Sequence, residues 1–248
     1  MILSVAHKFI FVRGRKVGGT SVEIALSTLC GPDDIVPPLV ARDERTRQAL
    51  NGRCGNYSEP AWIEAAYTAL VAQSPPDQLH LLKTPVGPYS AHTSLSEILA
   101  RYPGSVEGFR VLCLARCPYA RVLSALNMAG AFDTYRRGGA MEGGHEGWER
   151  AFDQALETGG LQRLRNLDIY RDAKGAVTAE VLRYETLQAD FDALVASLGV
   201  TREIALPHAK KGRMSNTMAP LDNLRRDQID AINAIFSEEF DVFGYPRQ

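Results

Sequence analysis

The chain has 248 residues, 45% of them hydrophobic, which is enough for one sizeable core, and a single domain over 1–248 is expected. Its 28 Lys and Arg against 29 Asp and Glu leave a net charge of −1, which argues against general nucleic-acid binding and confines anion recognition to a local pocket. Cys30, Cys54, Cys113 and Cys117 form no Cys-x-x-Cys pair and no zinc spacing, no charged lead with an apolar core precedes the first strand, and no apolar run reaches roughly 18 residues. The expectation is a cytoplasmic protein with reduced thiols, no membrane span and no nucleic-acid partner.

The first element is a buried strand, Phe9 to Val12, which stops at the cationic, glycine-rich turn Arg13-Gly14-Arg15-Lys16-Val17-Gly18-Gly19-Thr20-Ser21. Val22, Ala25, Leu26 and Leu29 then follow at i, i+3, i+4 and i+7, one helix face. Strand, glycine loop and helix start make a phosphate cradle: Gly18 and Gly19 allow close backbone approach, the new helix offers amides and its positive dipole end, and Lys16 adds a charge. Taken alone, the same stretch also reads as a simple strand-to-helix turn. Gly14 and Gly19 have the Walker A spacing, but Thr20 stands where that motif needs lysine, and the loop's one lysine is Lys16. A lysine ahead of Gly-Gly-Thr-Ser resembles instead the 5′-phosphosulfate loop of sulfotransferases that use 3′-phosphoadenosine 5′-phosphosulfate (PAPS).

Next come a turn-rich stretch at Pro32 to Pro38, a polar connection over Asp43 to Tyr57, a helix over Tyr57 to Ala72, and a strand at Leu79 to Lys83 that contains His80. His92 lies in the loop before a short helix from Ser94 to Arg101. Of the five histidines it is the best general-base candidate by resemblance, since in the glycan branch of the sulfotransferases the catalytic histidine lies in the loop before the strand that leads to the 3′-phosphate motif, and a neutral imidazole can accept a proton at cellular pH; the plain alternative is that it caps the helix or is exposed.

A second strand–turn–helix follows: Val111 to Ala115 is apolar, Pro118 suits the first helical position, and Tyr119, Val122, Leu123 and Leu126 share a face. Arg116 falls at the strand's end and Ser124 two turns into the helix, while Arg121 reads as a solvated helix residue. The run Arg116-Cys117-Pro118-Tyr119-Ala120-Arg121-Val122-Leu123-Ser124 resembles the sulfotransferase segment that holds the cofactor's 3′-phosphate, with Arg116 and Ser124 at the matching positions. A guanidinium fork can grip a phosphate dianion bidentately, and a hydroxyl adds a neutral hydrogen bond.

Residues 128–160 carry Gly130, Gly138, Gly139, Gly143, Gly144 and Gly147 with Phe132, Tyr135 and Trp148, followed by a helix around Trp148 to Leu156. The segment reads either as a mobile lid on the acceptor side or as a surface loop. A strand at Glu180 to Tyr184 leads to a helix with Leu187, Phe191, Leu194, Val195 and Leu198 on one face, ending at Gly199. The loop Leu206 to Asn216 concentrates positive charge; resemblance to sulfotransferases, which often close a basic loop over the cofactor here, implies that Lys210, Lys211 and Arg213 neutralise phosphates, the alternative being a solvated charge run. Ile229, Ile232, Phe236 and Phe240 form the core stripe of a final helix.

Taken together, the pattern most resembles the bacterial branch related to heparan sulfate 2-O-sulfotransferases, with gaps from Lys8 to about Tyr245; Arg15, Val17 and Cys117 depart from the family's usual proline, threonine and asparagine. The resemblance implies an α/β fold, a mainly parallel sheet flanked by helices in the P-loop nucleotide-kinase-like manner. It also implies transfer of a sulfuryl group from PAPS to a hydroxyl-bearing acceptor, glycan hydroxyls being suggested by the branch, with release of 3′-phosphoadenosine 5′-phosphate (PAP) and no metal. In that scheme His92 takes the acceptor proton, Lys16 stabilises the leaving phosphate, Gly18, Gly19, Thr20 and Ser21 hold the 5′-phosphate, and Arg116 and Ser124 hold the 3′-phosphate. The alternatives are a PAP-binding protein without catalysis and an ATP-dependent kinase-like phosphotransferase, the latter opposed by the missing Walker lysine.

Overall fold

The computed structural model describes residues 1–58, 60–137, 145–207 and 224–248, with backbone alone at 129–137 and 145–147. The described residues divide into two compact units, one within 1–14, 18–114 and 168–207 and the other within 15–17, 115–167 and 224–248.

The first unit is built on a four-stranded, mostly parallel sheet of order β1 (Ile2–Ser4), β2 (Phe9–Val12), β3 (Arg110–Ala115), β4 (Glu180–Arg183). Phe9 to Val12 are buried on both faces, as an unbroken apolar run in a central strand requires. Strand β1 pairs antiparallel with β2, and β2 pairs parallel with β3 from Phe9↔Arg110 to Val12↔Cys113. A parallel neighbour demands a long crossover, and it contains α1 (Gly19–Ser27), α2 (Ala41–Ala49), α3 (Trp62–Gln73) and α4 (Leu95–Arg101). The expected face of α1 is inside at Val22, Ala25 and Leu26, but Glu23 and Ile24 are buried too, so the helix is enclosed nearly all round; Leu29 lies past its end.

Three expectations fail in this unit. Phe9 to Val12 is the second element and not the first, because Ile2–Ser4 already forms a strand that pairs with it. Asp43 to Tyr57 is not a polar connection, because α2 occupies its first half with Asp43, Glu44 and Arg47 turned inward. Glu44 and Arg47 pair at 2.9 Å, Arg47 donates to the Pro37 carbonyl at 3.0 Å, and Glu44 accepts from the Leu39 amide at 2.9 Å. Leu79 to Lys83 is not a strand, because one 3₁₀ turn spans Leu79–Leu81 and the amides of Leu81 and Leu82 bond locally to Gln78 and Leu79. Leu79 alone of that run is buried, against Ala41, Tyr67 and Val71, while His80 is exposed.

After the short α7 (Leu167–Tyr170) and β4, α8 (Leu187–Ser197) ends where expected. Gly199 has φ +75°, its amide bonds Ala196 O at 3.0 Å and the Val200 amide bonds Val195 O at 3.3 Å, which closes the helix with a left-handed C-terminal turn.

The second unit packs α5 (Pro118–Arg137), α6 (His145–Glu157), α9 (Arg226–Ile235) and α10 (Ser237–Phe243). Tyr119, Val122, Leu123 and Leu126 meet Trp148, Phe152, Leu161, Ile232, Phe236 and Phe240 in one core. The stripe expected on a single final helix is therefore core, but the helix breaks at Phe236 into α9 and α10. Trp148 belongs to this core and stacks near Phe152 with ring centroids 5.8 Å apart, so it is no lid aromatic. Arg121 is not solvated: it is 1% exposed, ion-paired to the equally buried Glu239, and lies over the Phe236 ring at 4.8 Å. Among the described residues no helix is long and apolar enough to cross a membrane.

Candidate anion site

Val12 ends β2, and the parallel register Val12↔Cys113 brings the C-terminal ends of β2 and β3 side by side, the edge at which open α/β sheets bind ligands. Both motifs read from the sequence follow those strand ends. Their residues fall in both compact units.

In the first unit, Gly18 precedes α1 with φ +82°, and a Cβ there would come within 2.9 Å of the Tyr184 ring. A Cβ on Gly19 would lie 2.8 Å from Arg13 Cγ. Glycine is thus required by conformation and contact at the first position and by contact at the second. The first amides of a helix lack intrahelical partners, so the start of α1 directs N–H groups outward. Arg13 organises this corner: its Nη1 pairs with the Glu23 carboxylate and its Nη2 donates to Thr20 Oγ1 at 2.9 Å. A hydroxyl that accepts from a guanidinium has its own hydrogen left to donate elsewhere. Burial pushes the Glu23 carboxyl up, but the Met1 amino group and Arg13 outweigh it, and Glu23 stays ionised below its ordinary range.

His92 lies in the same unit, half-buried. Ser94, not His92, caps α4: its hydroxyl accepts from the Glu97 amide and its amide donates to Glu97 at 3.0 Å, a complete capping box. His92 Nδ1 is 3.0 Å from the Arg13 carbonyl oxygen. A carbonyl only accepts, so the neutral ring carries its proton on Nδ1 and keeps the lone pair on Nε2. Burial lowers the His92 pKa to about 4, with the Arg13 charge acting in the same direction. The ring is therefore a neutral acceptor at neutral pH.

In the second unit, Lys16 has φ +62°, in the left-handed region, and its Nζ contacts Met128 Sδ at 3.3 Å. Arg116, directly after β3 and 8% exposed, donates from Nη1 to the Lys16 carbonyl at 3.3 Å. Ser124 is buried on α5. The structure thus brings Lys16 and Arg116 into contact, and separately links His92 to Thr20 through Arg13. Lys210, Lys211 and Arg213, with His208, lie outside the described residues.

Chemically, the helix-start amides, the Thr20 hydroxyl, Lys16 and Arg116 are donors suited to phosphate oxygens, and His92 Nε2 is a proton acceptor. Sequence reasoning missed Arg13, Glu23 and Asn166. The Arg13–Glu23 spacing carries no periodic signal, and Asn166 meets the loop from 151 residues away. Comparison with protein-family models, with curated proteins and with solved structures found no match.

Proposed function

We propose that the protein is a PAPS-dependent sulfotransferase with the P-loop-like fold of that family, working in a reducing compartment on an acceptor hydroxyl. The observation that supports this best is the contact between two motifs read independently from the sequence: Arg116, at the end of β3, donates to the carbonyl of Lys16 in the loop after β2. A loop for a 5′-phosphate beside an arginine for a 3′-phosphate matches PAP and PAPS, whereas ATP offers nothing to the second group. None of the four cysteines is in a disulfide, and burial pushes the Cys113 thiol up to about 12, in keeping with inert thiols.

PAPS, as the donor substrate, supplies the sulfuryl group. In this reading the amides of Gly18 to Thr20 and the hydroxyls of Thr20 and Ser21 bind the 5′-phosphate, the Ser21 amide being taken by the Gly18 carbonyl at 3.2 Å, while Arg116 and Ser124 bind the 3′-phosphate. His92 Nε2 takes the acceptor proton as the new S–O bond forms. Lys16 stabilises the phosphate oxygen that keeps the electron pair of the broken S–O bond. Orientation of the base requires no rearrangement, because the Arg13 carbonyl already fixes the tautomer.

The test is the thermal stabilisation given by PAP, ADP and ATP at equal concentration. PAP is expected to stabilise the protein most. Equal shifts would remove the 3′-phosphate assignment, and preference for ATP would favour a phosphotransferase.

A further inference from the structure

Lys16 occupies a backbone conformation that non-glycine residues adopt uncommonly, and something must hold it there. Two side chains of the second unit grip the loop on either side of the Arg15–Lys16 peptide bond. The Arg15 amide donates to Asn166 Oδ1 at 2.7 Å, and Asn166 Nδ2 donates to the Arg15 carbonyl at 3.1 Å, so one primary amide satisfies both peptide groups of Arg15. Arg116 takes the next carbonyl, that of Lys16. Asn166 is itself fully buried and fixed, since its backbone amide donates to Glu239 Oε1 and the other oxygen of that carboxylate is paired with Arg121. A continuous chain therefore runs from α5 and α10 through Arg121, Glu239 and Asn166 to the loop tip.

We propose that Asn166 is a positioning residue: its side-chain amide clamps Arg15 and so holds Lys16 in the left-handed conformation from which its ammonium serves the 5′-phosphate. This deepens the sulfotransferase reading and rests on it for the identity of the phosphate, though the clamp itself does not. Only a primary amide offers both an acceptor and a donor in this geometry. Aspartate keeps the acceptor for the Arg15 amide but sets an oxygen against the Arg15 carbonyl, and alanine removes both bonds.

Two measurements test it. The first is amide hydrogen exchange without any ligand. In Asn166→Ala the Arg15 amide should exchange roughly 10-fold faster or more, with the amides of β2 unchanged, and in Asn166→Asp it should stay protected. An Arg15 amide as fast in the wild type as in Asn166→Ala overturns the clamp, whatever the protein binds.

The second measurement compares affinity for PAP, adenosine 3′-monophosphate and adenosine 5′-monophosphate. The ratio of PAP to the 3′-monophosphate isolates the 5′-phosphate, and Asn166→Asp should lower it about 10-fold while leaving the ratio of PAP to the 5′-monophosphate within about 2-fold. An unchanged first ratio, or an equal fall in both, overturns the positioning role, the latter because it marks general loosening. A wild-type protein that does not separate PAP from either monophosphate contradicts the sulfotransferase reading instead, and leaves the exchange result to decide the clamp.

Discussion

His92 Nδ1 lies 3.0 Å from the carbonyl oxygen of Arg13, and the guanidinium of that same Arg13 holds the Thr20 hydroxyl at 2.9 Å and the Glu23 carboxylate. One residue thus orients His92 with its backbone and the start of α1 with its side chain.

Replacing His92 by Gln should leave the fold and the PAP-induced stabilisation intact while cutting sulfuryl transfer by roughly 10² to 10⁴, read as PAP release in the presence of an acceptor. Near-wild-type turnover in His92→Gln would remove the base assignment.

The depressed pKa of His92 fixes a sign for pH dependence. Between its unfolded value near 6.5 and its folded value of about 4, the unfolded chain binds more protons, so stability falls as pH drops through that window. The neutral ring's contribution is complete above 6.5 and is lost as pH falls through about 4. Against His92→Gln, wild-type thermal stability should therefore decline relative to the variant as pH is lowered from 7 to 4, and the imidazole should titrate near 4 by NMR. Titration at 6.5 or above would contradict the burial of the ring beside the Arg13 charge, since the bond from Nδ1 to the Arg13 carbonyl acts in the opposite direction.

Lys16 should matter more as charge grows on the leaving oxygen than in the ground state. Lys16→Ala is expected to lower turnover by a larger factor than it lowers PAP affinity. Equal losses in the two measurements would make Lys16 a binding residue only.

Arg121 and Glu239 form a buried pair, 1% exposed on each side, that also supports Asn166. Arg121→Ala would leave a buried carboxylate without its cation and should destabilise the protein by about 3–5 kcal/mol in urea unfolding. The double change with Glu239→Gln should recover part of that loss, and a loss within about 0.5 kcal/mol for the single variant would place Arg121 in solvent.

What was legible in the sequence is what apolar periodicity encodes. The buried run Phe9 to Val12, the faces of α1 and α5 and the stop of α8 at Gly199 stand where the residues predicted them. Two failures share a cause: charged groups that pair with one another inside the protein look like surface in one dimension. Glu44 and Arg47 hide α2 from a hydropathy reading, and Arg121 reads as solvated because its partner Glu239 is 118 positions away. At Leu79 to Lys83 the reverse holds: the apolar run predicts a strand, yet only Leu79 is buried in a core, with Leu82 packed against it half-buried. The sequence singles out the glycines, Lys16 and Arg116, of which Lys16 and Arg116 meet in the structure, but not Arg13, Glu23 and Asn166, which shape the loop, because hydrogen bonds between side chains and to loop peptide groups leave no period.

The central claim is that Arg116 makes this site selective for a 3′-phosphate. The most direct measurement is the affinity of wild type and Arg116→Ala for PAP and ADP by calorimetry. A charge-assisted hydrogen bond of about 1.5–3 kcal/mol predicts that wild type prefers PAP by roughly 10- to 150-fold, and that Arg116→Ala abolishes most of the preference by weakening PAP alone. Equal affinity of the wild type for PAP and ADP, or a preference that survives in Arg116→Ala, would contradict the account.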